Sequence, residues 1–147
     1  MKRARTISFV PTGRPTVTPR LFARDPKALV AFIKRVFRAT GTYQGDRPSE
    51  LRLGDSIIMV NDDRARGPAT GFLYVYVDDA DAAYRRAIAA GARSIETPAD
   101  MPYGDRRAMV EDSSGNIWQI ATPISPPPRS RRPSTGASVR QSSRPRK

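Results

Sequence analysis

The sequence predicts an α+β fold of two βαβββ modules, whose curved mixed sheets surround a cavity and each carry a helix on the outer face. Two recurring patterns lead to this prediction. An apolar strand followed by an aspartate-capped helix occurs twice, around Asp25 and around Asp79. A glycine that leads into an apolar strand also occurs twice, after Gly54 and after Gly115. The two halves differ too much in sequence to establish a repeat, but they share one order of elements.

The first half begins with a strand predicted over residues 17–23, where side chains alternate between two faces. Asp25 and Pro26 then suit the N-cap and the first position of a helix. The apolar residues of this helix recur at the spacing of one buried face: Leu29, Phe32, Ile33, Val36 and Phe37. Three short strands are predicted next, over 41–46, 50–54 and 55–62, with tight turns between them.

The second half is predicted to repeat this order. Residues 71–77, GFLYVYV, form a strand, and the aspartates after it cap an alanine-rich helix that Gly91 closes. Three further strands are predicted over 92–98, 105–112 and 116–122.

Charge divides the chain into three parts. The net charge is +12 and the pI is near 11.1, but residues 15–123 hold fifteen basic and fourteen acidic side chains, so this body is nearly neutral. We predict a basic N-terminal extension over 1–15, a domain over 16–123 with modules at about 16–62 and 70–123, and a disordered basic tail rich in Pro, Ser and Arg over 124–147. The tails could make a weak, nonspecific contact with nucleic acid, although a solubilising tail is the simpler interpretation.

Composition excludes one kind of chemistry. The chain has no His and no Cys, so metal sites and nucleophiles built from these residues are ruled out. The apolar stretch near the N-terminus, ISFV, is too short for a signal peptide or a membrane span. We therefore expect a cytoplasmic protein that makes no membrane contact.

Two stretches carry a resemblance to a known family: LYVYVDDADAAYRRAIAAGA and MPYGDRRAMVEDSSGNIWQIAT. Together with the order of elements, they make residues 16–123 resemble the glyoxalase/bleomycin-resistance/extradiol-dioxygenase superfamily, also called vicinal oxygen chelate proteins. Within it, the chain looks most like the glyoxalase-like or PhnB-like branch. The resemblance implies the βαβββ fold, without fixing an activity.

Metal-dependent members of that superfamily place His, Glu or Gln ligands on the first, fourth, fifth and eighth strands. The resemblance assigns these positions to Thr18, Met59, Phe72 and Gln119. Only Gln119 is an ordinary ligand type, whereas a transition-metal site needs several converging donors. We therefore predict no metal and no cofactor, and we expect no metal-dependent glyoxalase or dioxygenase activity.

Strand alternation predicts which side chains line the cavity if the four assigned positions face it. The predicted ligand-binding residues are Thr18, Arg20, Phe22, Ile57, Met59, Phe72, Tyr74, Tyr76, Arg106 and Gln119. This mainly aromatic and apolar surface suits an organic ligand held by stacking, with an anionic or carbonyl group met by arginine.

Each of these features also has a simpler interpretation. Tyr74 and Tyr76 could be ordinary sheet residues, and Arg106 could form a turn salt bridge with Asp105. Trp118, on the other face from Gln119, is expected to anchor a helix. The aspartates at 62–63 and 78–81 are better explained by turns and capping than by a metal site.

The leading functional prediction is a homodimer that binds an aromatic or anionic metabolite or drug without metal. The alternative is a metal-independent lyase or isomerase, with Tyr74 or Tyr76 as the acid and Arg20 stabilising an anion. No carboxylate falls on the predicted cavity face, which favours binding. A carboxylate that converges with these groups would favour catalysis.

Overall fold

The computed structural model describes residues 9–124. Its first half consists of β1 (Arg20–Ala23), α1 (Pro26–Phe37), β2 (Ser49–Leu53) and β3 (Ser56–Asp62). Its second half consists of β4 (Phe72–Tyr76), α2 (Ala80–Ala89), β5 (Arg93–Asp100), β6 (Asp105–Glu111) and β7 (Ile117–Pro123), after a short 3-10 helix at Asp63–Ala65. Residues 1–8 of the predicted extension, and the predicted tail beyond Ile124, lie outside the described residues.

The strands form two mixed sheets, which confirms the α+β class. The three-stranded sheet has the order β1-β3-β2, and the four-stranded sheet has the order β4-β7-β6-β5. In each sheet the first strand pairs in parallel and the other neighbours are antiparallel. Strands β1 and β4 are edge strands, and a bridge between Phe22 and Ala69 connects this region of the two halves. The sheets therefore remain two open units instead of enclosing the cavity that the sequence predicted.

Both helices begin as predicted. Asp25 accepts a hydrogen bond from the Ala28 amide at 3.0 Å, with Pro26 at the first helical position. Asp79 accepts from the Ala82 amide, also at 3.0 Å. These bonds satisfy amides that have no partner within the helix. No helix of residues 9–124 is both long enough and apolar enough to span a membrane.

The first half contains one strand fewer than predicted. Residues 41–46 do not form a strand, and only Thr40 makes a bridge, to Arg52 of β2. Gly41 has φ +125°, and a Cβ atom there would lie 2.3 Å from the Glu50 carbonyl oxygen. The chain therefore turns away from the sheet at a position that a side chain could not occupy.

Strand β1 is also shorter than predicted, because it begins at Arg20 and not at residue 17. The Met59 amide donates to the Pro19 carbonyl at 2.9 Å. Pro19 has no amide hydrogen to continue the pairing toward the N-terminus. Instead, the segment before it reaches β2, where Arg14 forms an ion pair with Glu50 and Arg52 donates to the Gly13 carbonyl at 3.2 Å.

One hydrophobic core unites the two halves beneath the helices. The fully buried Trp118 of β7 packs against two rings of α1, with centroid distances of 4.9 Å to Phe37 and 6.5 Å to Phe32. Arg86 of α2 donates to the carbonyl at Val36, near the end of α1, at 2.8 Å. The prediction that Trp118 anchors a helix is confirmed. This packing leaves the opposite face of the four-stranded sheet open.

The turn between β6 and β7 contains a buried polar network. Asp112 is 5% exposed and accepts hydrogen bonds from the backbone amides of Ser114 and Asn116, at 2.8 and 3.0 Å. It also accepts from the side-chain amide of Asn116 at 2.9 Å and from the indole of Trp118 at 2.8 Å. This carboxylate therefore holds both the turn and the central tryptophan in place.

Candidate functional site

Strand β4 presents three aromatic side chains on its open side. Phe72, Tyr74 and Tyr76 are 65%, 39% and 62% exposed, whereas Leu73 and Val75 between them pack against the core. The alternation predicted for this strand is therefore observed. Exposed aromatic side chains on one strand form a surface that a flat molecule can contact.

Strand register defines the rest of this surface, which we call the tyrosine face. Gln119 of β7 lies opposite Tyr74, and Met109 of β6 lies opposite Gln119. By the same register, Asp105 and Arg107 of β6 point to this side of the sheet. The tyrosine face thus consists of Phe72, Tyr74, Tyr76, Asp105, Arg107, Met109 and Gln119.

A nearly buried carboxylate holds the two tyrosines. Oδ2 of Asp105, a residue that is 7% exposed, accepts a hydrogen bond from the Tyr74 hydroxyl at 2.5 Å and from the Tyr76 hydroxyl at 3.0 Å. Burial, followed by the bond to Asp105, raises the pKa of Tyr74. The bond to Asp105 is the main cause of the raised pKa of Tyr76. Both hydroxyls are therefore held in their protonated, donating form.

Further hydrogen bonds extend the cluster. The hydroxyl of Tyr103 lies 3.5 Å from that of Tyr74 and accepts from Nη1 of Arg107 at 3.4 Å. The other terminal nitrogen of Arg107 forms an ion pair with Glu96 of β5. Nε of Arg107 is buried and has no partner among the described residues. The arginine is thus neutralised by Glu96 and oriented toward Tyr103.

A cleft of about 450 Å³ lies along the edge of β4. Its lining combines Tyr74, Tyr76 and core-facing residues of β4 with residues of the turn between β2 and β3 and of the segment before β1. The lining residues are Pro15, Val17, Pro19, Phe37, Leu53, Gly54, Asp55, Ser56, Ile57, Ile58, Leu73, Tyr74, Val75, Tyr76 and Val77. Of the ten predicted ligand-binding residues, Ile57, Tyr74 and Tyr76 line this cleft.

Four of the other predicted residues belong to the three-stranded sheet or its approach. Arg20 and Met59 lie opposite each other, and Phe22 shares their side of that sheet. The Arg20 guanidinium lies 5.6 Å from the centroid of the Phe22 ring and donates to Asn61 at 3.1 Å. Thr18 precedes β1 and is half-buried. These four residues thus belong to the three-stranded sheet and its approach, whereas Phe72 and Gln119 lie on the tyrosine face of the other sheet.

Arg106 lies on the helix side of the four-stranded sheet and not on the tyrosine face. Its Nε donates to Asp81 of α2 at 2.6 Å, and its Nη1 donates to Asp100 of β5 at 2.9 Å. These pairs raise the pKa of Arg106, and its hydrogen bond is the main cause of the lowered pKa of Asp81. The simpler interpretation, a salt bridge to Asp105, named the wrong partner, because neighbouring residues of a strand point to opposite faces.

Sequence reasoning missed Asp105 and Arg107 as members of this surface. Alternation along β6 correctly predicts that Asp105 and Arg107 share one face and that Arg106 lies on the other. Their side of the sheet depends on the pairing of β6 with β7, which places Arg107 opposite Ala121 and Arg106 opposite Thr122. The register of β6 on β7 was therefore the information needed to assign Asp105 and Arg107 to the tyrosine face.

Comparison with known proteins identifies the class to which this fold and site belong. Residues 13–120 match the family model for the Glyoxalase/Bleomycin resistance protein/Dioxygenase superfamily. Because the match spans more than half of the chain, the protein belongs to this superfamily, and the resemblance found in the sequence is confirmed.

Individual relatives agree with this assignment. TioX from Micromonospora sp. ML1 is 27% identical and superimposes with a TM-score of 0.64 over 74% of this chain and 98% of TioX. A glyoxalase/bleomycin resistance protein/dioxygenase family enzyme from Burkholderia phytofirmans PsJN is 26% identical, with a TM-score of 0.62 over 71% of this chain and 95% of its own. An uncharacterized protein of Mycobacterium bovis is 26% identical over 128 residues, which cover 75% of this chain and 84% of that protein.

The residues that the resemblance assigns to the metal-ligand positions supply few donor atoms. Phe72 has no donor atom, Met59 offers a thioether, and Thr18 offers a neutral hydroxyl, so Gln119 is the one ordinary ligand in the set. Within residues 9–124, no group of three or more His, Cys, Asp or Glu side chains is placed to hold a metal. Asp62 and Asp79 instead cap helices, and Asp81 pairs with Arg106.

Proposed function

We propose that this protein binds a small planar molecule in the cleft beside β4 without a metal ion. One observation carries the proposal: Tyr74 and Tyr76 are fixed by the nearly buried Asp105 at the wall of a largely apolar cleft of about 450 Å³. Small-molecule sites combine such a volume and lining with a few fixed polar groups. The proposal that no metal ion is needed rests on the few donor atoms at Thr18, Met59 and Phe72.

We also propose that the protein belongs to the glyoxalase-like or PhnB-like branch of the superfamily.

The geometry of the two rings suits this role. Tyr74 and Tyr76 lie with their ring centroids 5.3 Å apart and their planes tilted by 58°. Their shared bond acceptor restricts the rotation of both side chains before a ligand arrives. Binding to an ordered surface costs less conformational entropy than binding to a mobile one. Flat rings of a ligand could then contact Tyr74 or Tyr76 and the apolar residues that line the cleft.

A thermal-shift screen tests the proposal directly. Planar aromatic compounds should be added to the purified protein in the presence of a metal chelator, and at least one should raise the melting temperature in proportion to its concentration. A ligand that binds only the native state must stabilise it. A broad screen without any stabilising compound, or with stabilisation that disappears whenever the chelator is present, would contradict the proposal.

The convergent carboxylate favours a second candidate, a metal-independent lyase or isomerase. Asp105 lies on the same face as both tyrosines, where it could accept a proton from a bound substrate. However, its Oδ2 already accepts hydrogen bonds from two hydroxyls, and the raised pKa of Tyr74 makes that hydroxyl a poor acid at neutral pH. Arg20, the expected anion-stabilising group, belongs to the other sheet. These observations favour binding as the first proposal.

Proton exchange distinguishes the two candidates. An isomerase or lyase of this kind should exchange an acidic C–H of a carbonyl substrate in D₂O, as followed by proton NMR, and Asp105→Asn should abolish the exchange. Binding alone would shift the ligand signals without exchanging any proton. Catalysed exchange that Asp105→Asn removes would establish the enzyme alternative.

We propose that a second copy of the chain covers part of the tyrosine face. Phe72 and Tyr76 of this face and the neighbouring Tyr103 are each more than 60% exposed, and aromatic residues are enriched at protein interfaces. Sedimentation velocity should show a dimer that Phe72→Ser weakens. A monomer at all practical concentrations would contradict this part of the proposal.

The remaining expectations are also proposals: a cytoplasmic location, and a weak contact with nucleic acid made only by the basic tails. Removal of the residues after Pro123 should abolish or sharply weaken retention of DNA. Sequence-specific binding that survives this deletion would contradict the assignment of charge to the tails.

A further inference from the structure

The direction of the hydrogen bonds determines what the two tyrosines can offer a ligand. An ionised carboxylate only accepts, so the hydroxyl hydrogens of Tyr74 and Tyr76 both point to Asp105. The Tyr76 oxygen keeps its lone pairs for other partners, and the Tyr74 oxygen keeps one beside its contact with the Tyr103 hydroxyl at 3.5 Å. Donation to a carboxylate also makes each oxygen a better acceptor, because bonds in a chain polarise one another. A ligand at these oxygens must therefore bring a donor, such as an N–H group.

Among the acidic side chains of β5 and β6, one carboxylate has no ion pair within residues 9–124. Glu96 pairs with Arg107, and Glu111 pairs with Arg93, through Arg Nη2 in both cases. Asp105 has two neutral hydroxyls as its side-chain partners and no ion pair among the described residues. A nearly buried negative charge without a counter-ion attracts a cation that can approach it.

The cleft itself carries charge of the same sign. Among its lining residues, Asp55 in the turn between β2 and β3 is the one that is charged, and no Lys or Arg of residues 9–124 belongs to the lining. Its carboxylate accepts a hydrogen bond from the Ser56 hydroxyl at 3.2 Å. The two arginines that the sequence predicted for the pocket are elsewhere, with Arg106 paired to Asp81 and Arg20 bound to Asn61. An anionic ligand would thus meet no neutralising side chain among the described residues that line the cleft.

We propose that the cleft selects cationic ligands in which an organic ammonium or amidinium group is attached to a flat ring. The ring would contact the apolar wall around Ile57 and Leu53, and the N–H groups would donate to the oxygens of Tyr74 and Tyr76. Asp105 behind the tyrosines and Asp55 at the rim supply the attraction. The electron-rich faces of the two tyrosine rings add a cation–π contribution. This inference rests on the proposed function and specifies the charge of its ligand.

A matched series of three probes tests the charge preference. Benzamidine, benzamide and benzoate have nearly the same shape and carry positive, zero and negative charge. Titration calorimetry at low salt should give the order benzamidine, then benzamide, then benzoate, with at least about tenfold between the first and the last, or about 1.4 kcal/mol. The gap should narrow as salt is added, because screening weakens the attraction at the exposed rim.

Two variants assign the preference to particular carboxylates. Asp105→Asn keeps the size of the side chain and removes its charge, and it should reduce the ratio between benzamidine and benzoate to within about threefold. Asp55→Asn, in an exposed turn, should reduce the ratio by a smaller factor and leave folding unchanged. The Asp55→Asn variant therefore tests the effect of charge on the affinity ratio even if Asp105→Asn does not fold. Asp63→Asn, at a half-buried site outside the cleft lining, is the matched control and should keep the wild-type ratio.

The outcomes separate the inference from the function on which it rests. Benzoate that binds as tightly as benzamidine, through Tyr74 and Tyr76, would overturn the cation preference and keep the binding site. Failure of all three probes would overturn the inference alone if the aromatic screen had yielded a ligand. If the screen had also failed, both proposals would be overturned. If the ratio of benzamidine to benzoate affinity is unchanged in both Asp55→Asn and folded Asp105→Asn, these two carboxylates do not cause the cation preference.

Discussion

Two buried carboxylates at opposite ends of β6 have different surroundings. Asp112, 5% exposed, binds backbone amides of its own turn and the indole of Trp118 in the core. Asp105, 7% exposed, binds the hydroxyls of Tyr74 and Tyr76 at the edge of an open cleft. The two side chains are almost equally buried, yet one is held by fixed donors inside the protein and the other holds residues that reach solvent.

This difference separates a structural carboxylate from a candidate functional one. Burial alone does not distinguish the two roles, because both groups need hydrogen bonds to offset their desolvation. The identity of the hydrogen-bond donors distinguishes the two roles. When Asp112 is removed, amide and indole donors in the interior lose their partner. When Asp105 is changed, two phenols at the surface lose theirs, and water can replace it.

The largest effect on stability is expected for Asp112→Ala. Two backbone amides, the Asn116 side chain and the Trp118 indole would lose their acceptor, so the free energy of unfolding should fall by about 3 kcal/mol or more. Urea denaturation measures this change, with the exposed Asp55→Ala as the control, which should change it by less than about 0.5 kcal/mol. A loss below about 1 kcal/mol for Asp112→Ala would remove the contrast between the two carboxylates.

A smaller loss, of about 1–2 kcal/mol, is expected for Asp105→Asn, because the amide oxygen can still accept one hydroxyl and water reaches the other. Ligand affinity should fall more sharply than stability. The same denaturation experiment, combined with titration of a ligand from the aromatic screen, measures both. Equal affinity in the variant and the wild type would show that Asp105 is structural, like Asp112.

The raised pKa of Tyr74 predicts a loss of stability at alkaline pH. The unfolded chain releases this proton near the ordinary tyrosine pKa of 10.0, whereas the folded protein releases it at higher pH. The stability from the protonated hydroxyl is complete below pH 10.0 and is lost as the pH rises above it. Urea denaturation across this range should show a steeper decline for the wild type than for Tyr74→Phe. Parallel curves would contradict the raised pKa of Tyr74.

The smallest effect is expected for Arg106→Ala. Its ion pairs with Asp81 and Asp100 are partly exposed, and such pairs contribute about 1 kcal/mol or less. Ligand affinity should stay within about twofold of the wild type, because Arg106 lies on the helix side of the sheet. A tenfold loss of affinity would support the original prediction that Arg106 lines the pocket.

Local features of the fold were predictable from the sequence, because they depend on neighbouring residues. Asp25 and Asp79 cap their helices as expected, and the alternation of Phe72, Tyr74 and Tyr76 follows from strand geometry. The strand predicted over 41–46 failed for a reason that is not local. Gly41 approaches the Glu50 carbonyl across the chain, and the sequence alone does not show that contact.

The candidate site was only partly predictable for the same reason. Tyr74 and Tyr76 were found because they alternate along a single strand. Asp105 was missed because its hydrogen bonds join residues 29 and 31 positions apart, and they depend on how β4, β7 and β6 align. The expected enclosed cavity also depended on how two sheets meet, which strand patterns do not specify.

The most direct test of the central claim is a calorimetric titration of an aromatic ligand, obtained from the screen, in the presence of a metal chelator. The double variant Tyr74→Ala, Tyr76→Ala should bind this ligand at least about tenfold more weakly than the wild type. Tyr84→Phe, which changes a tyrosine on α2 bound to Ser94 outside the cleft lining, should bind like the wild type. Undiminished affinity in the double variant, or affinity that requires added metal, would contradict the account.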